Sequence, residues 1–289
     1  MKKKPNFLIV GAAKAGTTSV AKYLDQHPDI FIPQDKEIRY FISEIIKRTN
    51  PKDPILKSLL NKSVLEKEEY FNLFNVKEKV AGEASVHYLY HYKEAIPNII
   101  NNVGDIPIII ILRNPIDRAI SNWQYIDKDF YTFEEAIKQE EFKIENNYNS
   151  FMYYKSLGLY YHQVKAYLDS FSNVKIILFE DLKKDSNEVV NSIFKFLNVP
   201  SIGNIDTKTI HNTRVNYVPR YYFFKLIKHY KVNQYIIKVL KFLSLENHFY
   251  IKKEKKISDR LHSELLEYYT SDIEKLEKLI NKDLTKWKL

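Results

Sequence analysis

The sequence predicts an α/β protein: a parallel β-sheet flanked by α-helices, followed by a helical C-terminal part. Three observations carry this. Phe7 to Val10 and Ile106 to Leu112 are short apolar runs without polar interruption, the composition of parallel strands covered on both faces, and Val174 to Phe179, VKIILF, is a third run read as a buried strand. Each run leads into a segment with apolar residues at helical spacing. Strands that alternate with helices pair in parallel through right-handed crossovers.

The first run opens the stretch around which the chain is organised, Pro5 to Leu24. Gly11 and Gly16 bracket a loop containing Lys14, and Thr17, Thr18 and Ser19 stand where a helix begins, with Val20, Tyr23 and Leu24 as its apolar face. A helix N-terminus has about four backbone N–H groups without intrahelical acceptors and carries partial positive charge. Glycines let a phosphate approach that backbone, and a lysine and hydroxyls add charge and hydrogen bonds. The spacing G-x-x-x-x-G-T-T departs from a Walker A loop, in which lysine directly follows the second glycine. Here Thr17 holds that position and the lysine lies inside the loop.

The chain then passes through His27 to Pro33, read as an extended turn, and Lys36 to Phe41, a polar cluster of Lys36, Glu37 and Arg39 ending in aromatics. Asn50 to Tyr70 reads as short helices. Lys79 to Ser85 reads as a strand with Glu83 and Ser85 at its polar tip, and a helix is expected near Lys93 to Asn101. The second apolar run ends in RNPIDRAISNW, Arg113 to Trp123. Pro115 suits a first helical turn, and Arg118 and Ser121, three apart, share a helix face. Arg113 falls at the carboxyl end of a strand, where open α/β sheets bind ligands. Phe133 to Glu145 reads as a solvated helix and Leu159 to Phe171 as an amphipathic one. After the third run, Glu180 and Asp181 read as a structural cap, with metal ligation as the other reading, and Val189 to Leu197 as a helix. His211 to Arg220 is a basic loop, and a pair of basic amphipathic helices near 219–244 either packs on the core or touches a membrane surface. Lys252 to Lys256 is a charged run, and the chain ends in a long helix with leucines at i, i+3 and i+4.

Composition bounds the function. The chain has 289 residues, 45 % of them hydrophobic, enough for one large core, and a single domain over 1–289 is expected, with its core at about 5–200 and a helical, basic region at about 205–289. The absence of cysteine excludes a disulfide framework and cysteine-ligated metals and suits a reducing compartment. No apolar run is long enough to span a membrane, and the basic start is read as no signal peptide because its short apolar run enters the loop of Lys14 directly. The net charge is +9, and residues 208–256 hold 12 Lys and Arg against two acids, so anionic partners are favoured.

Taken together, GAAKAGTTS, KEIRYF, GEASVHY, ILRNPIDRAISNW, GLYYHQV and LFEDL, in this order, resemble the sulfotransferases that use 3′-phosphoadenosine-5′-phosphosulfate (PAPS). The resemblance is to a bacterial group related to the heparan sulfate sulfotransferase domains and spans Phe7 to about Leu197. It implies a P-loop-like fold. It places the 5′-phosphosulfate on Lys14, Ala15, Gly16, Thr17, Thr18 and Ser19 and the 3′-phosphate on Arg113 and Ser121. It makes Glu37 the general base, with Glu83 and His87 as further candidates. The glycan enzymes' E-K-S/T motif falls on Glu83, Ala84 and Ser85, with alanine in the lysine's place, a departure that bears on acceptor recognition. Arg214 and Arg220 are candidates for a loop that closes over PAPS.

The chemistry follows from the residues as well. Sulfuryl transfer, like phosphoryl transfer, proceeds in line with charge building on the bridging oxygen. Lys14 can neutralise that oxygen and Glu37 can take the acceptor's proton. The strand before Arg113 lacks the aspartate that organises Mg²⁺ in P-loop NTPases, so no metal is expected. The expected partners are PAPS and a hydroxyl or amine acceptor, a carbohydrate or glycolipid, held by Glu44 to Asn75 and Asp127 to Tyr154. Nucleic acid is not expected, and the expected location is the cytoplasm, with peripheral membrane contact through the basic helices. A P-loop kinase or NTPase and a non-catalytic polyanion binder are the alternatives.

Overall fold

Five parallel strands form the central sheet of the computed structural model, which describes residues 4–34, 37–126, 131–203, 205–207 and 257–289 and two short strands between the last two of these segments. The strands are β1 (Phe7–Gly11), β2 (Ile30–Phe31), β3 (Val80–Ala84), β4 (Ile108–Leu112) and β5 (Val174–Leu178), in the order β2-β3-β1-β4-β5. β1 and β4 lie inside the sheet and are buried along their whole length, which is why their sequences tolerate no polar residue. β1 pairs with β3 (Ile9 opposite Ala84) and with β4 (Ile9 opposite Ile109), so the carboxyl ends of all three point the same way.

Two expectations about the sheet are corrected. Val174 to Phe179 is not covered on both faces: β5 is an edge strand, half-buried over its first three residues, and Phe179 already belongs to the next helix. His27 to Pro33 is more than a turn, because Ile30–Phe31 pairs with β3 as the opposite edge. β3 admits Gly82 in its interior because a Cβ there would meet the Phe7 ring at 2.4 Å.

The helices that follow are α1 (Thr17–Leu24), α2 (Ser43–Lys47), α3 (Leu56–Lys62), α4 (Lys67–Asn72), α5 (Tyr92–Val103), α6 (Pro115–Ile126), α7 (Phe133–Lys138), α8 (Glu140–Glu145), α9 (Tyr160–Ser170), α10 (Phe179–Lys184) and α11 (Ser186–Phe196). The solvated helix expected over Phe133 to Glu145 is in fact two. A Thr132–Glu135 capping box starts α7, the chain breaks at Gln139, and Phe133, Ala136, Glu140 and Lys143 are buried. Glu140 is drawn inward because its carboxylate accepts the backbone N–H groups of Lys155 and Ser156 at 2.5 and 2.7 Å.

The C-terminal helix α12 (Asp259–Ile280) buries Leu261, Leu265, Tyr269, Ile273 and Leu276. It also caps α9: Asp272 accepts the N–H of Tyr160 at 2.7 Å, and Tyr269 donates to the Lys155 carbonyl at 2.8 Å. Residues 1–211 and 259–289 form one compact unit and residues 212–258 a second, in which β6 (Tyr217–Pro219) and β7 (Tyr250–Lys252) pair antiparallel. Lys36, Arg214, Arg220, nearly all of the basic helices near 219–244 and most of the charged run 252–256 lie outside the described residues.

Candidate active site

The loop between β1 and α1 has the backbone its glycines and lysine suggest. Gly16 stands at the helix N-cap with φ 88°, and a Cβ on it would lie 2.9 Å from Leu182 and 3.0 Å from the Phe179 ring. Both the left-handed backbone and the packing therefore require glycine. The N-cap residue makes no side-chain hydrogen bond to α1, and a helix N-terminus of this kind suits an anion. Ala15 and Thr17 are buried, Ser19 nearly so, and Thr18 is half-exposed. Lys14 also has a positive φ of 69°, rare for a residue with a side chain. Its carbonyl accepts from Arg113 Nη1 at 3.1 Å, and its ammonium lies 4.3 Å from the centre of the Tyr125 ring.

Arg113 leaves the end of β4 with its guanidinium 4.7 Å over the Phe179 ring and 4.0 Å from Asp117. Burial lowers its pKa from the ordinary arginine value and the Asp117 carboxylate offsets part of this. The neighbouring Asn114 caps α6 by accepting from Ile116 N at 2.9 Å and Asp117 N at 3.2 Å, which aims the start of α6 at the same end of the sheet. Ser121 is half-exposed two turns along. Arg118 turns away from it: fully buried, it donates to the Tyr154 carbonyl and ties α6 to the segment after α8. Glu180, read as part of a cap, lies in the first turn of α10 and accepts the Asn114 N–H at 3.4 Å.

Glu37 is brought to the carboxyl end of β3 by backbone pairing, its N–H donating to the Ala84 carbonyl at 3.1 Å. Its carboxylate accepts the Val86 N–H at 3.2 Å and faces Arg39 at 3.6 Å. Arg39 is itself buried, lies 5.2 Å over the Phe151 ring and donates from its backbone to Ser85 Oγ at 3.0 Å. Burial lowers the Arg39 pKa, and the charge of Glu37 is the strongest force raising it again.

Beneath Glu37 lies Glu83, 1 % exposed, in β3. Burial pushes its carboxyl up to about 8, and the Glu37 charge acts in the same direction. Tyr88 and Ser85 hydroxyls oppose the shift. Each accepts a backbone N–H, from Phe41 and Arg39 respectively, and lies near a carboxyl whose two oxygens are buried without a hydrogen-bond partner. Glu83 is therefore a neutral acid at pH 7, unsuited to take a proton. His87 is also fully buried: its Nδ1 shares the Ser150 hydroxyl with Nε2 of His91, each at 2.9 Å, and burial depresses its pKa well below the usual histidine value. His87 is a packed, neutral imidazole between the Phe151 ring and Ser150.

The two segments expected to hold an acceptor face each other. Asn50 donates from its backbone to the Asn147 carbonyl at 2.8 Å, and Asp53 accepts from Asn149 Nδ2 at 2.6 Å. Between them opens a cavity of about 590 Å³ whose lining includes Arg48, Thr49, His91, Tyr148, Ser150 and Tyr153.

With this geometry in hand, comparison with known proteins is decisive. The family described as Sulfotransferase domain matches residues 4–265. The chain belongs to the sulfotransferase family. A crystal structure of a sulfotransferase from Alicyclobacillus acidocaldarius is 31 % identical and superposes with a TM-score of 0.77, covering 99 % of this chain and 100 % of that one. The membrane-associated sulfotransferase kil1 of Dictyostelium discoideum is 31 % identical over 150 residues, 49 % of this chain and 29 % of its own. The bifunctional heparan sulfate N-deacetylase/N-sulfotransferase 1 of Caenorhabditis briggsae is 27 % identical over 211 residues, 69 % of this chain and 23 % of its own. The sulfotransferase chain thus spans less than a third of the length of these curated relatives.

Two members of the site were not singled out for a role in the sequence. Arg39 reads only as part of a polar cluster, although it stands one residue beyond Ile38 from Glu37, with which it pairs. Tyr125 stands four residues after Ser121 on one helix face, which is the signal that marks it.

Proposed function

We propose that this chain transfers the sulfuryl group of PAPS to a hydroxyl or amine acceptor, within one sulfotransferase domain over residues 1–289. The observation that carries the reading is convergence: Lys14 in the loop after β1, Glu37 paired to the end of β3 and Arg113 after β4 all stand at the carboxyl end of the sheet, with Arg113 donating to the Lys14 carbonyl. Lys14 and the amides of Gly16 to Ser19 suit a 5′-phosphosulfate, and Arg113 with Ser121 suits the 3′-phosphate. Glu37, held by the Val86 amide and facing Arg39, takes the proton of the acceptor as its oxygen or nitrogen bonds to sulfur. The sulfur–oxygen bond to the 5′-phosphate breaks in the same displacement, and Lys14 neutralises the charge left on that oxygen. The products are the sulfated acceptor and adenosine 3′,5′-bisphosphate, and Glu37 returns its proton to water.

A metal is not required in this scheme, since Lys14 supplies the positive charge. The acceptor reading is a carbohydrate or glycolipid, supported by a cavity between the facing segments that mixes aromatic rings (Tyr148, Tyr153) with polar groups (Arg48, Thr49, His91, Asn147) and by the heparan sulfate enzyme among the relatives. Among the described residues no helix is long and apolar enough to cross a membrane. The basic composition of 219–244 and a relative named as membrane-associated support peripheral membrane contact, and the cysteine-free sequence suits the cytoplasm.

The test is a screen of hydroxyl and amine acceptors with isotopically labelled PAPS in EDTA, read by mass spectrometry. Label on a glycan acceptor supports the whole reading. Phosphate transfer from Mg-ATP with none from PAPS would establish the kinase alternative.

A further inference from the structure

Tyr125 has no part in the mechanism above, yet it lies at its centre. Its ring is 48 % exposed near the end of α6, on the face that carries Ser121 one turn earlier. The Lys14 ammonium sits 4.3 Å from the ring centroid, well inside cation–π range. The main chain of Lys14 is fixed separately, at φ 69° with its carbonyl on Arg113. Lys14 is thus held at both ends, its backbone from the end of β4 and its charge from α6. The Tyr125 phenol also lies within electrostatic reach of Arg39, the partner of Glu37.

We propose that Tyr125 is a positioning residue for Lys14, its ring holding the ammonium in the cleft where the bridging oxygen of the donor arrives. The proposal rests on the sulfuryl-transfer reading. A lysine has four rotatable bonds and loses much rotamer freedom when placed. A ring attracts the ammonium through its quadrupole without setting a counter-charge beside it. A carboxylate at the same place would hold the lysine more firmly and cancel the charge that the leaving oxygen needs. The ring, not the hydroxyl, does this, so phenylalanine substitutes for tyrosine and leucine does not.

The test needs a readout independent of turnover. Reductive ¹³C-methylation keeps lysines cationic, and the Lys14 resonance is identified by its absence in Lys14→Arg. In the wild type and Tyr125→Phe the ring current shifts this resonance upfield, and in Tyr125→Leu the shift is lost. With PAPS and an acceptor, Tyr125→Phe keeps the wild-type kcat, and Tyr125→Leu lowers kcat about two- to fivefold, the size of an exposed cation–π contact, with a smaller change in KM for PAPS. An unshifted wild-type resonance, or a Tyr125→Leu protein with wild-type shift and kcat, overturns the proposal. A shifted resonance in a protein that transfers no sulfuryl group overturns the activity reading itself, so the two failures are told apart.

Discussion

Replacing Glu83 by glutamine should make the protein more stable at neutral pH and leave it nearly unchanged in acid. The carboxyl is buried and its pKa rises from 4.5 to about 8 on folding, so the folded state holds a proton that the unfolded state has released. Stability therefore falls as pH rises, because the native state binds more protons than the unfolded state over that interval. The loss begins above 4.5 and is complete once the pH passes about 8. Integrated to pH 7 it amounts to about 3 kcal/mol, and its full extent is about 5 kcal/mol. Glutamine is neutral at every pH and still offers an oxygen to the Tyr88 and Ser85 hydroxyls. Urea unfolding of both proteins at several pH values isolates the effect, since every other titrating group cancels in the difference. The variant's advantage should grow by about 3 kcal/mol between pH 4.5 and pH 7. A difference that stays constant across that range would mean that Glu83 ionises normally and that its burial has been misjudged.

Two further substitutions probe the chemistry and the loop. Glu37→Gln keeps the Val86 hydrogen bond but cannot take a proton; it should lower turnover roughly 10²–10⁴-fold with affinity for adenosine 3′,5′-bisphosphate intact, and wild-type turnover with a true acceptor would place the base elsewhere. Gly16→Ala puts a methyl at φ 88° against Leu182 and Phe179, and should cost at least about 1–2 kcal/mol in a denaturant melt and weaken nucleotide binding; a fully stable variant would show that the loop relaxes freely.

Much of the site was legible because its parts are local. Gly16, Lys14 and the hydroxyls of α1 follow one another on one loop, and Arg113 follows directly on a strand whose burial demands unbroken isoleucine. What stayed hidden depends on contacts between distant segments. β5 reads as a buried strand like β4 but carries Lys175, and its place at the sheet edge leaves its first three residues half-buried. Arg118 reads as sharing a helix face with Ser121, and the carbonyl that draws it inside comes from Tyr154, 36 residues later. Glu83 reads as a polar strand tip; its neutrality arises from burial and the nearby Glu37 charge, against the Tyr88 and Ser85 hydroxyls. The break at Gln139 reflects Glu140 reaching the amides of Lys155 and Ser156, a pairing that no periodicity records.

Arg113 and the loop of Lys14 are proposed to form one nucleotide site with separate duties. Calorimetry in EDTA with adenosine 3′,5′-bisphosphate and with adenosine 5′-monophosphate, on wild type and Arg113→Ala, tests it directly. The wild type should bind the bisphosphate more tightly. Arg113→Ala should lose about 1.5–3 kcal/mol for the bisphosphate, the scale of a charged hydrogen bond, and far less for the monophosphate. Equal losses for both ligands, or no binding of the bisphosphate by the wild type without metal, would contradict the account.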